Sequence, residues 1–377
     1  MVKKLVDEIE TLSIHEESRD STVAHHLLSV FPPEKIHWVK SQPFSEVQGD
    51  MSAREYDRSK KHLYLTPFKG QFFKRCPGAS QKKSITCCNY HVLNLGLQCN
   101  MNCSYCYLQS YLNTPIMTIF SNIDQALAEL QSLSETKGDF PLRVGTGEVI
   151  DSLSLDPLTL YSRSLIDFFR HHPQWVLEFK TKSDHVDQFL NTEHIGNIVV
   201  SWSINPQEVI EHEEHGTASL ENRLQAAERC VKHGFPIAFH LDPMIYHTGW
   251  QKNYEALIRE LTSRFQRKDI HGITIGTLRF QPEQRHIMRE RFGMKSWVTQ
   301  AEMFASESGK LRYDSQVRTS MFRFAVDTFK KYSDIPISIC METPESWIAT
   351  YEKLPNQMED LKSFYRPVRL SAEDNVM

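Results

Sequence analysis

The residues best suited to chemistry in this chain are Cys99, Cys103 and Cys106, which follow the spacing Cys-x3-Cys-x2-Cys. Three thiolates at this spacing can point at one centre from a single loop. Thiolate ligands select zinc, copper(I) or iron–sulfur clusters. A structural zinc ion usually takes four ligands from two pairs of residues. Three cysteines without an obvious fourth therefore favour a four-iron cluster with one iron left open, and zinc is the alternative.

The remaining cysteines carry a weaker signal. Cys76, Cys87 and Cys88 lie just upstream of the cysteine loop (residues 99–106). They could form a second metal site or a redox pair, or they could simply pack beneath the loop. We favour packing. Cys230 is expected on the buried face of a helix and Cys340 at the end of a strand. Six of the 8 cysteines fall within 31 residues, which is typical of metal or redox chemistry in a reducing compartment.

Composition narrows the class of protein without naming a function. The chain has 377 residues, 40% of them hydrophobic and 24% charged, with a net charge of −4. These values exclude a collagen-like or largely disordered protein. Neither a transmembrane segment nor a signal peptide is recognisable, so we expect a cytoplasmic protein with no membrane partner.

Charge is distributed unevenly along the chain. Residues 54–83, the basic segment, contain nine basic and two acidic residues, interleaved with aromatic side chains. Such a segment suits either a surface that binds a polyanion or an ordinary solvated surface.

The elements that must position these residues alternate along the chain from residue 91 onward, as βαβ units do. The predicted strands are His91–Leu97, Leu142–Thr146, Trp175–Thr181, Asn197–Ser203, Pro236–Leu241, Gly272–Thr277 and Ile335–Cys340. The predicted helices are Ser121–Ser134, Pro157–Arg170, Asp184–Leu190, Ser219–His233, Trp250–Arg264 and Arg318–Tyr332. This order predicts a parallel sheet closed into a barrel or part of one, with functional groups at the carboxyl ends of the strands.

Two strand ends carry further candidate residues. His240 and Asp242 end one strand and could contact a substrate or pair with each other. Arg279 ends the next strand and suits a phosphate or carboxylate.

The cysteine loop, with an aromatic residue before its last cysteine, resembles that of radical S-adenosylmethionine (SAM) enzymes. Further stretches are similar, in the same order, to the spore photoproduct lyase family, a DNA-repair branch of those enzymes. These stretches are Cys106-Tyr-Leu-Gln109, residues 180–187, Ser203-Ile-Asn205, Gly216-Thr217, residues 223–227, Gly249-Trp250 and Cys340-Met-Glu342.

The resemblance implies a partial (β/α)6 TIM-type barrel with an N-terminal α/β extension. We expect an N-terminal region over residues 1–90, the barrel over 91–345 and a C-terminal extension over 346–377. The implied cofactors are a 4Fe-4S cluster and SAM. The implied chemistry is reductive cleavage of SAM to a 5′-deoxyadenosyl radical that abstracts hydrogen, in repair of a damaged pyrimidine. The implied partners are DNA and an electron donor such as flavodoxin or ferredoxin. The alternatives are a radical SAM enzyme with a non-DNA substrate and a zinc-stapled nucleic-acid-binding protein.

The resemblance also implies roles for individual residues. Cys99, Cys103 and Cys106 are the implied cluster ligands, and Tyr105 and Tyr107 are implied in radical relay. The implied SAM-binding residues are Gly145, Thr146, Gly147 and Glu148 at the second strand end, Lys182 for the SAM carboxylate, and Ser203 with Asn205.

One position departs from the family pattern. The lyases carry a cysteine at the end of the second strand that donates hydrogen to the repaired product, and Gly145 stands there in this chain. No cysteine lies between Cys106 and Cys230. The chain must therefore quench the product radical in another way, through Tyr105 or Tyr107, or act on another substrate.

Overall fold

The computed structural model describes residues 2–43, 52–80, 85–112, 114, 116–137, 140–362 and 365. Lys82 and Lys83 of the basic segment lie outside the described residues. Every described helix is too short or too polar to span a lipid bilayer.

The described chain alternates strands and helices over most of its length. The strands are β1 (Thr11–His15), β2 (Ile36–Val39), β3 (His62–Thr66), β4 (Phe73–Arg75), β5 (His91–Leu93), β6 (Gly96–Leu97), β7 (Asn102–Cys103), β8 (Met117–Phe120), β9 (Leu142–Gly145), β10 (Trp175–Thr181), β11 (Ile198–Ser203), β12 (Glu214–His215), β13 (Ile237–Met244), β14 (Ile270–Thr277), β15 (Arg279–Phe280), β16 (Phe304–Ala305), β17 (Leu311–Arg312) and β18 (Ile337–Ile339). The α-helices are α1 (Val2–Glu8), α2 (Thr22–Val30), α3 (Ala53–Ser59), α4 (Pro77–Ser80), α5 (Leu108–Tyr111), α6 (Ile123–Lys137), α7 (Asp156–Thr159), α8 (Tyr161–Phe169), α9 (Gln207–Glu213), α10 (Leu220–Lys232), α11 (Trp250–Arg264), α12 (Gln284–Phe292), α13 (Trp297–Gln300), α14 (Ser315–Tyr332) and α15 (Pro344–Tyr351).

The largest sheet has the strand order β18-β14-β13-β11-β10-β9-β5-β4. Its strands from β5 to β18 pair in parallel, and β4 adds an antiparallel edge. Six of the seven predicted strands are present with small shifts of their ends, whereas the predicted strand His91–Leu97 divides into β5 in this sheet and β6 in the second sheet. Six crossovers connect the seven parallel strands of this sheet in chain order. The curled sheet is open between β4 and β18, which confirms the predicted partial TIM-type barrel.

The two faces of this sheet differ in character because side chains alternate along a strand. Val144, Leu177, Phe179, Val200 and Trp202 are buried in the apolar core. The intervening positions on the other face include Arg143 and Glu178, which contact each other, as the next subsection describes. The helices cover the apolar face, so the polar face is the inside of the barrel.

Local sequence signals account for some of the helix boundaries. The side chain of Ser219 accepts a hydrogen bond from Asn222 N and caps α10, and Gly234 (φ +84°) follows its end. Helix α11 spans Trp250–Arg264, as predicted.

The predicted helix over Asp184–Leu190 is wrong, because this segment forms turns. Polar contacts with other parts of the chain hold it in place. Trp202 Nε1 donates to Ser183 O at 3.0 Å, and Arg229 Nη2 donates to Asp184 O at 3.1 Å. Carbonyl groups that a helix would use internally are thus bonded to side chains of β11 and α10.

A second sheet, of order β2-β1-β3-β8-β6, forms the N-terminal α/β extension. Strands β6 and β8 come from the barrel side of residue 90 and pair with this sheet. The domain boundaries at residues 90 and 345 therefore stay predictions.

Candidate active site

The cysteine loop lies beyond the carboxyl end of β5, the first parallel strand of the barrel. Within the loop, β7 pairs with β12 so that Cys103 lies opposite Glu214. Cys99 and Cys103 are buried and Cys106 is half-buried. Among the described residues, no group of three or more Cys, His, Asp or Glu side chains is arranged to hold a single metal ion.

The charges around the loop suit an anionic group bound to these thiolates. Burial raises the pKa of Cys99 to about 11, and nearby Lys60 opposes this rise. Lys60 Nζ donates to Cys99 O at 2.6 Å and also to Met101 O. Burial lowers the pKa of Lys60, whereas negative charge on the cysteines favours its protonated form. Three thiol donors with a half-buried lysine beside them fit the implied cluster.

Tyr105 belongs to a buried hydrogen-bond network centred on Glu214. The carboxylate of Glu214 accepts hydrogen bonds from the Tyr105 hydroxyl, from Asn205 Nδ2 at 2.9 Å and from Arg223 Nη2 at 2.6 Å. Burial would raise the pKa of Glu214, but the charges of Arg223 and Lys182 lower it. The network fixes Tyr105 beside the cysteine loop.

Tyr107 and Glu148 lie together at the rim of the barrel. The Tyr107 hydroxyl donates to Glu148 O, and its side chain is 40% exposed. The carboxylate of Glu148 pairs with Lys74 Nζ at 3.5 Å. Burial raises the pKa of Glu148, against the effect of Lys74. Glu148 therefore already neighbours a cation supplied by the chain itself.

The end of β9 is shaped by glycine and by Asp151. A Cβ atom on Gly147 would lie 2.9 Å from both Lys180 O and Ser152 Oγ, so only glycine fits without displacement. Thr146 Oγ1 donates to Ser152 Oγ at 2.8 Å. Asp151 accepts from Lys182 N at 2.8 Å, which ties the end of β9 to the end of β10.

Lys182, which is half-buried, and Asn205, which is buried, both lie near the cysteine loop. Lys182 Nζ lies 5.6 Å from the centre of the Tyr105 ring. Burial disfavours its charge, but negative charge on Cys103 and Glu214 raises the pKa of Lys182 above its usual value. Asn205 Oδ1 accepts from the Tyr254 hydroxyl at 2.8 Å. Ser203 precedes Asn205 at the end of β11, and its carbonyl accepts from Arg223 Nη1 at 2.8 Å.

His240 and Asp242 do not pair with each other, contrary to one of the two predicted possibilities. His240 Nε2 lies 2.6 Å from Glu178 Oε1, and Asp242 Oδ1 accepts from Arg279 Nη1 at 2.8 Å. Burial, with the charge of Lys180, lowers the pKa of His240. Although burial opposes it, Arg279 holds the pKa of Asp242 below its usual range. The two residues therefore belong to separate pairs inside the barrel.

Sequence reasoning missed the polar residues at the middle of the barrel. Glu178 lies within β10, where it accepts from Arg143 Nη2 at 3.4 Å and contacts His240. Tyr90, just before β5, hydrogen-bonds to Glu178. A signal was present for Arg143 and Glu178, because each is a charged residue within an otherwise apolar strand.

The open barrel of parallel strands, with a three-cysteine loop after its first strand, defines a radical SAM-type fold. A family model described as spore photoproduct lyase matches residues 37–318, and the chain belongs to that family.

Individual relatives agree with this assignment. The spore photoproduct lyase of Geobacillus sp. (strain Y412MC61) is 29% identical over 205 residues, which cover 54% of this chain and 60% of the relative. That of Bacillus subtilis (strain 168) is 28% identical over 197 residues, which cover 52% and 58%. The chain thus matches about 60% of the length of these curated relatives.

Solved structures share the fold over a longer range. A spore photoproduct lyase double mutant with bound AdoMet and dinucleoside spore photoproduct has a TM-score of 0.76 and 23% identity, and covers 89% of this chain and 99% of that one. The lyase complexed with dinucleoside spore photoproduct has a TM-score of 0.75 and 22% identity over the same shares.

Proposed function

We propose that this protein is a radical SAM enzyme that repairs a damaged pyrimidine in DNA, as a spore photoproduct lyase does. The observation that carries the proposal is the cysteine loop at the mouth of an open parallel barrel, in a chain of that family. The thiols of Cys99, Cys103 and Cys106 would hold the cluster. A 4Fe-4S cluster held there would, together with SAM, supply the 5′-deoxyadenosyl radical that abstracts hydrogen from the substrate.

The chain's own groups would bind and orient these cofactors. Lys60 places a positive charge beside the thiolates, which stabilises an anionic cluster. Lys182, held protonated by its acidic neighbours, would pair with the carboxylate of SAM. Gly147 lets the end of β9 pack closely against β10 beside the proposed SAM site, because a Cβ there would lie 2.9 Å from Lys180 O and Ser152 Oγ. Ser203 and Asn205 would position the ligand from the next strand end.

A cationic region at the barrel mouth supports a phosphate-bearing substrate. Arg279 is paired with Asp242 and Arg312 with Glu342, and Lys310 adds a further positive charge near the two arginines. Burial together with the charges of the two arginines lowers the pKa of Lys310 to about 8. A phosphate diester would relieve this repulsion by charge-assisted hydrogen bonds. The aromatic residues of the basic segment do not support base stacking there, since Tyr56, Tyr64, Phe72 and Phe73 are buried in the core.

An external electron donor of the flavodoxin or ferredoxin class completes the proposal, because the cluster must be reduced before each cleavage. A cytoplasmic location fits this requirement, because thiolate ligands stay reduced there.

The test is anaerobic reconstitution with iron and sulfide, reduction, and incubation with SAM and a dinucleoside photoproduct. We expect a brown protein that forms 5′-deoxyadenosine and separates the photoproduct into two thymidines. A protein that binds one zinc and forms no 5′-deoxyadenosine would refute the proposal and favour the zinc-stapled alternative. Formation of 5′-deoxyadenosine without repair, together with DNA affinity that does not fall with salt, would favour a non-DNA substrate.

A further inference from the structure

The space beside Gly145 is filled by another side chain. A Cβ atom built on Gly145 would lie 1.7 Å from the hydroxyl oxygen of Tyr90, 2.4 Å from its Cζ and 2.7 Å from its Cε1. A side chain at position 145 and the phenol of Tyr90 therefore exclude each other. The tyrosine oxygen lies where a side chain at the end of β9 would begin.

The phenol is held in this place from several sides. Cys76 N donates to Tyr90 O at 2.9 Å, which fixes the backbone before β5. The guanidinium of Arg143 lies 5.4 Å from the centre of the ring. The hydroxyl bonds to Glu178, which His240 contacts in turn at 2.6 Å. The hydroxyl thus lies on the polar inner face of the barrel, among the ends of β9 and β10.

We propose that Tyr90 is the hydrogen-atom donor that quenches the substrate radical at the end of the reaction, an inference that rests on the proposed function. The carbon-centred radical on the repaired pyrimidine takes a hydrogen atom from the Tyr90 hydroxyl. A C–H bond forms, the O–H bond breaks, and Tyr90 becomes a neutral phenoxyl radical. One electron from the flavodoxin- or ferredoxin-class donor and one proton from water then restore the phenol.

The surroundings suit a phenol in this role. Burial and the negative charge of Glu178 raise the pKa of Tyr90 well above its usual value, so the hydroxyl keeps its proton. A phenoxyl radical is delocalised over its ring, which makes a phenol a ready donor to a carbon radical. Position distinguishes Tyr90 from the other two candidates. The Tyr105 hydroxyl is bound to Glu214 and the Tyr107 hydroxyl to Glu148 O at the rim, whereas the three atoms nearest to a Cβ on Gly145 all belong to Tyr90.

The placement of Tyr90 is testable in the protein without cofactors. Gly145→Ala should lower the thermal unfolding midpoint by about 2–4 °C, because the new methyl group must displace the phenol. In a Tyr90→Ala background the same change should have little effect. An equal loss in both backgrounds would show that the phenol does not fill this space and would overturn the inference.

The role of Tyr90 is tested in the reconstituted protein with the dinucleoside photoproduct. Tyr90→Phe should form 5′-deoxyadenosine at close to the wild-type rate but lose repaired product by at least ~100-fold. The double variant Tyr90→Ala/Gly145→Cys, which puts a thiol in the vacated space, should recover repair. Tyr161→Phe is the matched control, because it removes a buried hydroxyl that donates to Phe120 O outside the barrel.

The outcomes separate this inference from the proposed function. No 5′-deoxyadenosine from the wild-type protein would overturn both. Normal 5′-deoxyadenosine and normal repair in Tyr90→Phe would overturn only the donor role. Repair that survives in Tyr90→Phe but is lost in Cys88→Ser would assign the role to that neighbouring thiol instead.

Discussion

The buried ion pair between Arg223 and Glu214 allows a quantitative test of the network that holds Tyr105. Both side chains are completely buried, and Arg223 Nη2 lies 2.6 Å from Glu214 Oε2. Glu214→Gln keeps the shape of the side chain and one acceptor oxygen but removes the charge that balances the guanidinium. Removing one partner of a buried pair costs about 3–5 kcal/mol, because the other charge stays buried without compensation.

This loss converts to a shift in unfolding temperature. An unfolding entropy of about 2.1 cal/mol/K per residue over 377 residues gives about 0.8 kcal/mol/K, so a loss of 4 kcal/mol lowers the midpoint by about 5 °C. Calorimetry of the protein without cofactors measures the shift directly. The surface pair of Glu221 and Arg264 supplies the control, because solvent screens it and Glu221→Gln should leave the midpoint unchanged. A Glu214→Gln midpoint within about 1 °C of wild type would refute the reasoning.

Three further predictions concern the metal site, the strand end and the effect of pH. Alanine at any one of the three loop cysteines should abolish iron retention after reconstitution, measured by elemental analysis. Cys230→Ala is the control and should keep the iron, because Cys230 is a buried residue of α10. Equal iron in all variants would contradict the ligand assignment. Gly147→Ala should lower the free energy of unfolding, measured with denaturant, by about 1–3 kcal/mol, because its Cβ would lie 2.9 Å from two oxygen atoms. Gly272→Ala is the control and should leave the free energy of unfolding nearly unchanged, because the nearest atom to its Cβ would be 3.7 Å away. Burial raises the pKa of Glu178, but His240 and Arg143 hold it below its usual 4.5. The charged carboxylate of Glu178 therefore contributes fully to stability above pH 4.5, and this contribution decreases as pH falls below that value. Glu178→Gln should therefore flatten the acid side of the stability profile, and an unchanged acid slope would contradict the pairing.

The parallel strands could be predicted from sequence because a strand covered by helices needs apolar side chains along its outer face. The helix over Trp250–Arg264 was predicted for the same reason, since its apolar residues follow one face. The helix predicted over Asp184–Leu190 is wrong because contacts with distant residues decide the structure of this segment. There the backbone is bonded to side chains from β11 and α10, and contacts between distant parts of the chain leave no pattern in the local sequence.

The candidate site also contains some residues that the sequence predicts and others that it does not. The three loop cysteines carry their own signal, because one loop supplies all of them at fixed spacing. The network around Tyr105 carries none, because its partner Glu214 lies 109 residues away and is brought close only by the pairing of β7 with β12. Charged residues within apolar strands, such as Glu178, can be predicted only in part. The sequence shows that such a residue needs a partner, but it does not identify the partner.

Gly145 is the position at which the structure changes the interpretation of the sequence most. In the sequence alone, Gly145 is the position where the family resemblance predicts the hydrogen-donating cysteine, so its glycine suggests a lost means of quenching the product radical. The structure connects it to Tyr90, whose hydroxyl oxygen lies 1.7 Å from where the Cβ of any side chain at 145 would be. A cysteine at 145 and a tyrosine at 90 cannot both be accommodated without displacement. With the phenol of Tyr90 in this position, glycine is the residue that fits at the end of β9 without displacing it.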